Sequence, residues 1–211
     1  MEVKQITIVG CGPGALDHVT PIARHAIESA QILAGTTRLI ELFPHVTAER
    51  IVADANVPRF LDAIAARMSD RRVVILVTGD PGLCSMARPI IRRFGHAACR
   101  VIPGISSVQV ACARLGLDWA GARILSAHVA APEIDPAGLA AEHTIAVLAG
   151  NAAHAGWLEA LVRSLLPTHD IFFCENLTLP DESVRQLDAA PSHTELASTS
   201  LLVLVRKEVD V

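Results

Sequence analysis

The sequence predicts an α/β chain of two domains, the first on a mostly parallel sheet and the second on a mixed sheet. Strand-like and helix-like segments alternate up to residue 116, the pattern of βα units that build parallel sheets. Past residue 128 the texture changes, and the strand-like runs at 183–190 and 198–207 follow one another with no helix between them, which requires antiparallel pairing. The boundary falls within 117–128 and divides the chain into domains 1–118 and 119–211.

Each element has a local cause. "VKQITIVG" (3–10) is a strand ending in glycine, and a helix follows from Pro21 to Ala30 with Thr20 as N-cap and Pro21 at its first position. "AQILAG" (30–35) is a short second strand, with helical segments near 36–42 and 58–68. "RVVILVTG" (72–79) is nearly all apolar, as expected of a parallel strand buried on both faces. A helix over 85–94 closed by Gly95 leads to the strand "CRVIPG" (99–104). Val108, Ala111, Cys112 and Leu115 then repeat at helical spacing until Gly116 stops the helix. Residues 129–138 are small, proline-rich and loop-like, 143–151 and 170–177 read as strands, and 152–166 is a helix ended by Pro167.

Composition narrows the function classes. In 211 residues, 51% are hydrophobic and 19% charged, enough for a sizeable core without disulfides or metals. No apolar run approaches the roughly 20 residues that span a bilayer, and the N-terminus enters a strand without a signal pattern. The five cysteines form no C-x-x-C pair, and an odd scattered set argues against a secreted framework. A cytoplasmic protein is expected. The net charge of −4 disfavours nucleic acid as a partner. The histidines show no metal spacing, so no metal site is expected.

"IVGCGPGALDHVTP" (8–21) carries Gly10, Gly12 and Ala15 in a dinucleotide-binding pattern. A pyrophosphate site needs the helix to begin inside the glycine motif. Here the helix starts only at Thr20–Pro21, and the second strand ends "ILAGTTR" without the acid that would hold a ribose. The bland alternative is a tight turn whose glycines satisfy backbone conformation. Three further turns of Gly, Pro, Asp and Ser follow strand ends, at 78–85, 102–107 and 148–151. Ligands of open α/β sheets bind beyond the carboxyl ends of the strands, so several such turns point to a shared ligand cleft.

Taken in order, G-C-G-P-G (10–14), T-G-D-P (78–81) and P-G-I-S-S (103–107) resemble the tetrapyrrole methylases, over about residues 3–207. That family consists of S-adenosylmethionine-dependent enzymes with a cofactor cleft between two α/β domains, the class III methyltransferase fold. "IPGISSVQVACARLGLDWAGARILSAH" and "CENLTLPDESVRQL" are similar to the branch that methylates carbon 5 of a precorrin in cobalamin biosynthesis. In that branch a loop "SLHGR" stands where this chain has "SAHVAAP", which keeps His128 and loses Gly-Arg.

The resemblance implies cofactor contacts at Pro13, Thr78, Gly79, Asp80, Leu83, Ser106, Ser107, Ala149 and Leu177. It implies a tetrapyrrole substrate, precorrin-7 with or without cobalt, and a homodimer. A separate enzyme would methylate carbon 15 and decarboxylate the side chain, this chain being a standalone version. An ionised Asp80 offers acceptors and a charge opposed to a cationic cofactor, although an Asx turn explains it equally. N-capping is the corresponding alternative for Ser106 and Ser107. His128 is the candidate general base for a meso proton, with a purely structural hydrogen bond as its alternative. Arg38, Arg88 and Arg114 are candidates to meet substrate carboxylates, or else solvated surface.

Three rival functions stay open at this level. One is a methyltransferase of the same fold acting on another tetrapyrrole, on RNA or on a protein. Another is a nicotinamide-dependent oxidoreductase, and the third a non-catalytic binding protein of corrin synthesis.

Overall fold

The apolar run at 73–77 becomes the central strand of an all-parallel sheet in the computed structural model, which describes residues 6–128, 130–150, 152–191, 196–197 and 199–208. The strands are β1 (Ile6–Gly10), β2 (Ile32–Gly35), β3 (Glu49–Val52), β4 (Val73–Val77) and β5 (Cys99–Ile102), in the order β3-β2-β4-β1-β5. All five residues of β4 are buried. Val73, Ile75 and Val77 face one core and Val74 and Leu76 the other, because successive strand side chains point to opposite faces.

Helices cover both faces. α1 (Pro21–Glu28) and α2 (Thr37–Glu41) bury Ala23, Ile27, Leu39 and Ile40 on the Val74/Leu76 side. α3 (Val57–Met68) and α4 (Ala87–Phe94) bury Phe60, Leu61, Ile64, Ala87 and Ile90 on the other. Thr20 caps α1 by accepting from the Ala23 amide at 3.4 Å, and Asn56 caps α3 through the Arg59 amide at 3.0 Å.

Sequence patterning does not reveal β3. It is an edge strand in which only Ile51 is buried, so it lacks the apolar signal of its neighbours. Its Glu49 carboxylate meets Arg67 at 3.1 Å and Arg71 at 2.6 Å.

The second sheet is mixed, as expected. β6 (Arg123–Ser126) pairs in parallel with β7 (Thr144–Leu148). β10 (Leu201–Arg206) lies antiparallel between β7 and β8 (His169–Glu175), and β9 (Ser183–Leu187) closes the edge as a hairpin with β8. β6 is a second short edge strand without a clear sequence signal, since Leu125 is its one buried residue. α6 (Ala155–Leu165) covers one face with Leu158, Leu161, Val162 and Leu165. α5 (Ser107–Leu115) packs against β10. Its end has the expected form: Gly116 takes φ +67° and the Leu117 amide donates to the Cys112 carbonyl at 2.9 Å.

By its contacts the chain divides into two units, Met1–Ser106 and Ser107–Val211. The division precedes α5, whereas the boundary expected from the sequence lies after it at 118/119. The helix continues the βα rhythm of the first half but rests on β10 of the second. Residues 3–5 of the expected first strand, Val129 of the proline-rich loop, Asn151 and Ser198 lie outside the described residues. No helix among the described residues is long and apolar enough to cross a membrane.

Candidate active site

In the first unit the topology itself selects one crevice. The connection leaving β1 runs to α1 on one face of the sheet, and the connection leaving the adjacent β4 runs to α4 on the opposite face. Two neighbouring strands whose connections part in this way create the switch point where open α/β sheets take ligands. The loops at that point are 11–20 and 78–86, with 103–106 leaving β5 on the other side of β1.

These three loops meet backbone to backbone. Gly12 and Gly79 form a bridge outside the strands, with Gly12 N donating to Gly79 O at 3.3 Å and Gly79 N to Gly12 O at 2.8 Å. Both glycines are left-handed, at φ +74° and +65°, a conformation that disfavours a Cβ. Gly10 is crowded instead: a Cβ there would lie 2.7 Å from Gly104 N, Gly79 O and the Pro81 ring. One on Gly104 would collide with the Gly79 carbonyl. The glycines that imitate a pyrophosphate fingerprint serve loop-to-loop contact. α1 does begin late, at Pro21, and β2 runs into Thr36 without an acidic residue.

Six of the expected contact residues sit on these loops at or around the bridge. Pro13 is buried directly after Gly12, and Thr78 is exposed at the end of β4. Asp80 accepts from the Gly82 amide at 3.1 Å, so the Asx turn exists, and the Leu83 amide donates to the Asp80 carbonyl at 3.1 Å. Gly79 itself is open on its Cβ side, with only the Ser106 Cα within reach at 3.8 Å, and Ser106 is buried. Arg38, from α2, donates to the Thr78 hydroxyl at 3.0 Å. Cys11, beside Gly12, is buried, which pushes its thiol up to about 12 against the smaller opposing effects of the Val77 backbone and the Arg38 charge.

In the second unit, register brings the remaining residues to one sheet edge. Ser126 pairs with Leu148, and Leu201 pairs with both Leu148 and Cys174. The ends of β6, β7 and β8 therefore carry His128, Ala149 and Leu177 along the same edge. Ala149 and Leu177 are buried, and the Ala149 amide donates to the Ser200 carbonyl at 3.0 Å. The His128 imidazole lies directly against Gly150, where any Cβ would overlap the ring; this neighbour has no signature in the sequence beyond the "LAGN" turn. Ser107 is the first residue of α5.

Leu177 stands between two left-handed residues, Asn176 at φ +47° and Thr178 at φ +74°. A β-branched residue in that region is an outlier. Of the groups around it, sequence reading singles out Arg114 but not Glu182. Arg114 is held by Glu182, at 2.5 and 3.2 Å; Glu182 also raises its pKa by this hydrogen bond and by its charge. Arg88 is an exposed residue of α4. Two other histidines have structural partners: His169 is buried between the Thr168 hydroxyl and the Glu142 carbonyl, and His154 meets the Ala127 carbonyl at 2.6 Å. Among the described residues no three of His, Cys, Asp and Glu gather as a metal site would require.

The fold and site define a two-unit α/β protein whose ligand side is the carboxyl edge of an open parallel sheet. More specifically, the chain belongs to the Tetrapyrrole (Corrin/Porphyrin) Methylases, whose family profile matches residues 5–190. It is 38% identical over 123 residues to the cobalt-precorrin-7 C(5)-methyltransferase of Salmonella typhimurium, a match covering 58% of this chain and 61% of that protein. The match thus spans less than two thirds of that relative's length. The crystal structure of the cobalamin biosynthesis precorrin-6Y methylase from Archaeoglobus fulgidus superposes with a TM-score of 0.72 at 25% identity, covering 98% of this chain and 100% of that one. A uroporphyrin-III C-methyl transferase from Thermus thermophilus, complexed with S-adenyl homocysteine, has the same fold, with a TM-score of 0.76 at 18% identity over 95% of this chain and 97% of that one.

Proposed function

We propose that this chain is an S-adenosylmethionine-dependent C-methyltransferase acting at carbon 5 of a precorrin, precorrin-7 or its cobalt form, in cobalamin biosynthesis. The observation that carries the reading is the meeting of the β1, β4 and β5 loops at the switch point, in a chain of this family that is 38% identical to a C(5)-methyltransferase. The S-adenyl homocysteine complex of the Thermus thermophilus relative supports the choice of cofactor.

The residues present fit such a cofactor. Gly79 leaves its Cβ side open toward Ser106. An ionised carboxylate has about four acceptor sites, and the Asx turn of Asp80 accounts for one of them. Asp80 can therefore keep its loop in shape and also accept from a ligand donor. Pro13, Thr78, Gly79, Asp80, Leu83, Ser106, Ser107, Ala149 and Leu177 are the residues that would hold the cofactor in this reading.

When bound, S-adenosylmethionine supplies an electrophilic methyl group on a sulfonium. The chain's own contribution is alignment of the reacting carbon with that methyl, an effect worth about 7–11 kcal/mol when the geometry is near attack. His128 would accept the proton leaving carbon 5, its imidazole being held against Gly150 at the end of β6. The carboxylates of a precorrin call for cations, and Arg38, which reaches the Thr78 hydroxyl, is the candidate of this reading. A homodimer in the cytoplasm, with a separate enzyme for carbon 15, belongs to the same reading.

The test is to incubate purified protein with S-adenosylmethionine and precorrin-7, with and without cobalt, and to weigh the product. A gain of one methyl group, mapped to carbon 5, is expected. No gain on either substrate refutes the substrate assignment, and binding of a nicotinamide cofactor without S-adenosylhomocysteine refutes the methyltransferase.

A further inference from the structure

The segment 176–182, between β8 and β9, is tied down more heavily than a hairpin turn requires. Asn176 donates from its side-chain amide to Asp181 at 2.7 Å, and its carbonyl oxygen accepts from the Thr199 hydroxyl at 2.8 Å. The Leu179 amide donates to the Asn176 carbonyl at 2.9 Å, and the Glu182 amide to the Leu179 carbonyl at 3.0 Å. Within this frame Thr178 adopts φ +74°. A β-branched residue persists there only where its surroundings over-determine the backbone. The Thr178 amide donates to Glu182 Oε2 at 2.5 Å, and Glu182 is gripped by both forks of Arg114, at 2.5 Å to Oε1 and 3.2 Å to Oε2.

We propose that Arg114 and Glu182 are positioning residues, a brace that fixes the left-handed turn at Thr178 and thereby presents Leu177 to the adenosyl ligand. This inference rests on the methyltransferase reading for the identity of that ligand. Arg114 occupies the last turn of α5, and Ser107 is the first residue of the same helix. One ion pair thus ties the helix carrying Ser107 to the turn carrying Leu177, two elements that meet the same ligand in that reading. Arginine suits the role because its planar fork matches a carboxylate bidentately and sets direction as well as distance. The Arg114 side chain is 44% exposed and that of Glu182 22%, and exposed pairs contribute little to stability. Orientation of the turn is what the geometry of this pair supplies.

The test compares Arg114→Met, Arg114→Lys, Glu182→Gln and the double variant Arg114→Met/Glu182→Gln with the parent. Three readouts are used: S-adenosylhomocysteine affinity by calorimetry, thermal midpoint, and amide hydrogen exchange at 177–180. Loss of a charge-assisted anchor predicts about tenfold weaker binding for Arg114→Met and for Glu182→Gln. The double variant should be no weaker than either single one, because the two side chains act as a unit. Arg114→Lys, which keeps the charge but not the fork, should fall between parent and Arg114→Met and serves if the others fail to fold. Exchange at 177–180 should quicken in each variant without ligand. An unchanged affinity with a lowered midpoint overturns the proposal, since the pair would then only stabilise the fold. If the parent binds no S-adenosylhomocysteine, the methyltransferase reading fails instead, and exchange decides the brace: rates at 177–180 equal to the parent's refute it.

Discussion

Gly10→Ala tests the packing of the three loops at the switch point. Gly10 is not left-handed, so alanine carries no backbone penalty there, and the whole effect is steric. A Cβ at this position would stand 2.7 Å from Gly104 N, Gly79 O and Pro81 Cδ. Each neighbour would have to retreat by about 0.7 Å to reach ordinary contact, which begins at 3.4 Å. Retreat is resisted on every side, because Gly10 pairs with Val77 in the sheet and Gly79 is bridged to Gly12. Overpacking of this kind costs about 1–3 kcal/mol. Gly116→Ala is the complementary control: φ is +67° and nothing lies within 4 Å of the added Cβ, so only the left-handed backbone is penalised, by about 1–2 kcal/mol. Urea unfolding followed by far-UV circular dichroism measures both. Trp119 and Trp157 are the only tryptophans and both lie in the second unit, so their fluorescence separately follows the unit that Gly10 does not belong to. Gly10→Ala should also weaken S-adenosylhomocysteine binding, whereas Gly116→Ala should not. A Gly10→Ala protein within about 0.5 kcal/mol of the parent would refute the described contact between the loops.

Other expectations are briefer. Cys84 is exposed and the other four cysteines are buried, so a thiol reagent at pH 8 should titrate one fast thiol in the native protein and five after denaturation; two or more fast native thiols would contradict the packing. Burial, followed by the neighbouring Cys112 and Glu182, pushes the Cys174 thiol up to about 12, and burial does the same to Cys11, from an ordinary value of 9.0. The unfolded thiols release protons first, so stability present below pH 9.0 should decline steadily toward about 12, with a shallower decline in Cys174→Ala, as read from urea midpoints. Asp80→Ala should weaken S-adenosylhomocysteine binding by about tenfold, and an unchanged affinity in calorimetry would remove Asp80 from the site. Gly150→Ala should push the His128 ring aside with little loss of stability, and turnover on precorrin-7 should fall as it does in His128→Ala; full activity in both variants would exclude the histidine as the base.

The delayed start of α1 is legible in the sequence, because Thr20 and Pro21 are local signals that act through their own backbone groups. β4 was equally plain, since burial on both faces leaves an uninterrupted apolar run. The edge strands β3 and β6 were not, because a strand covered on one side and short of partners keeps few apolar residues to betray it. Arg114 illustrates the harder limit. A lone arginine near the end of a helix is equally a surface charge or a substrate contact, and only the return of the chain 68 positions later brings Glu182 to it.

What the sequence determined by itself is therefore what depends on neighbours along the chain: the helix caps, the apolar periodicities, the glycine turns after the strands, and the family whose motifs those turns carry. Tertiary structure decided what depends on residues far apart. It turned Gly10, Gly79 and Gly104 into a backbone-to-backbone junction, set His128 against Gly150, and held Thr178 in a left-handed turn through Glu182. Propensity and capping act over a few residues, whereas close approach and charge pairing act through space, and the order of the strands in a sheet determines which distant residues become neighbours.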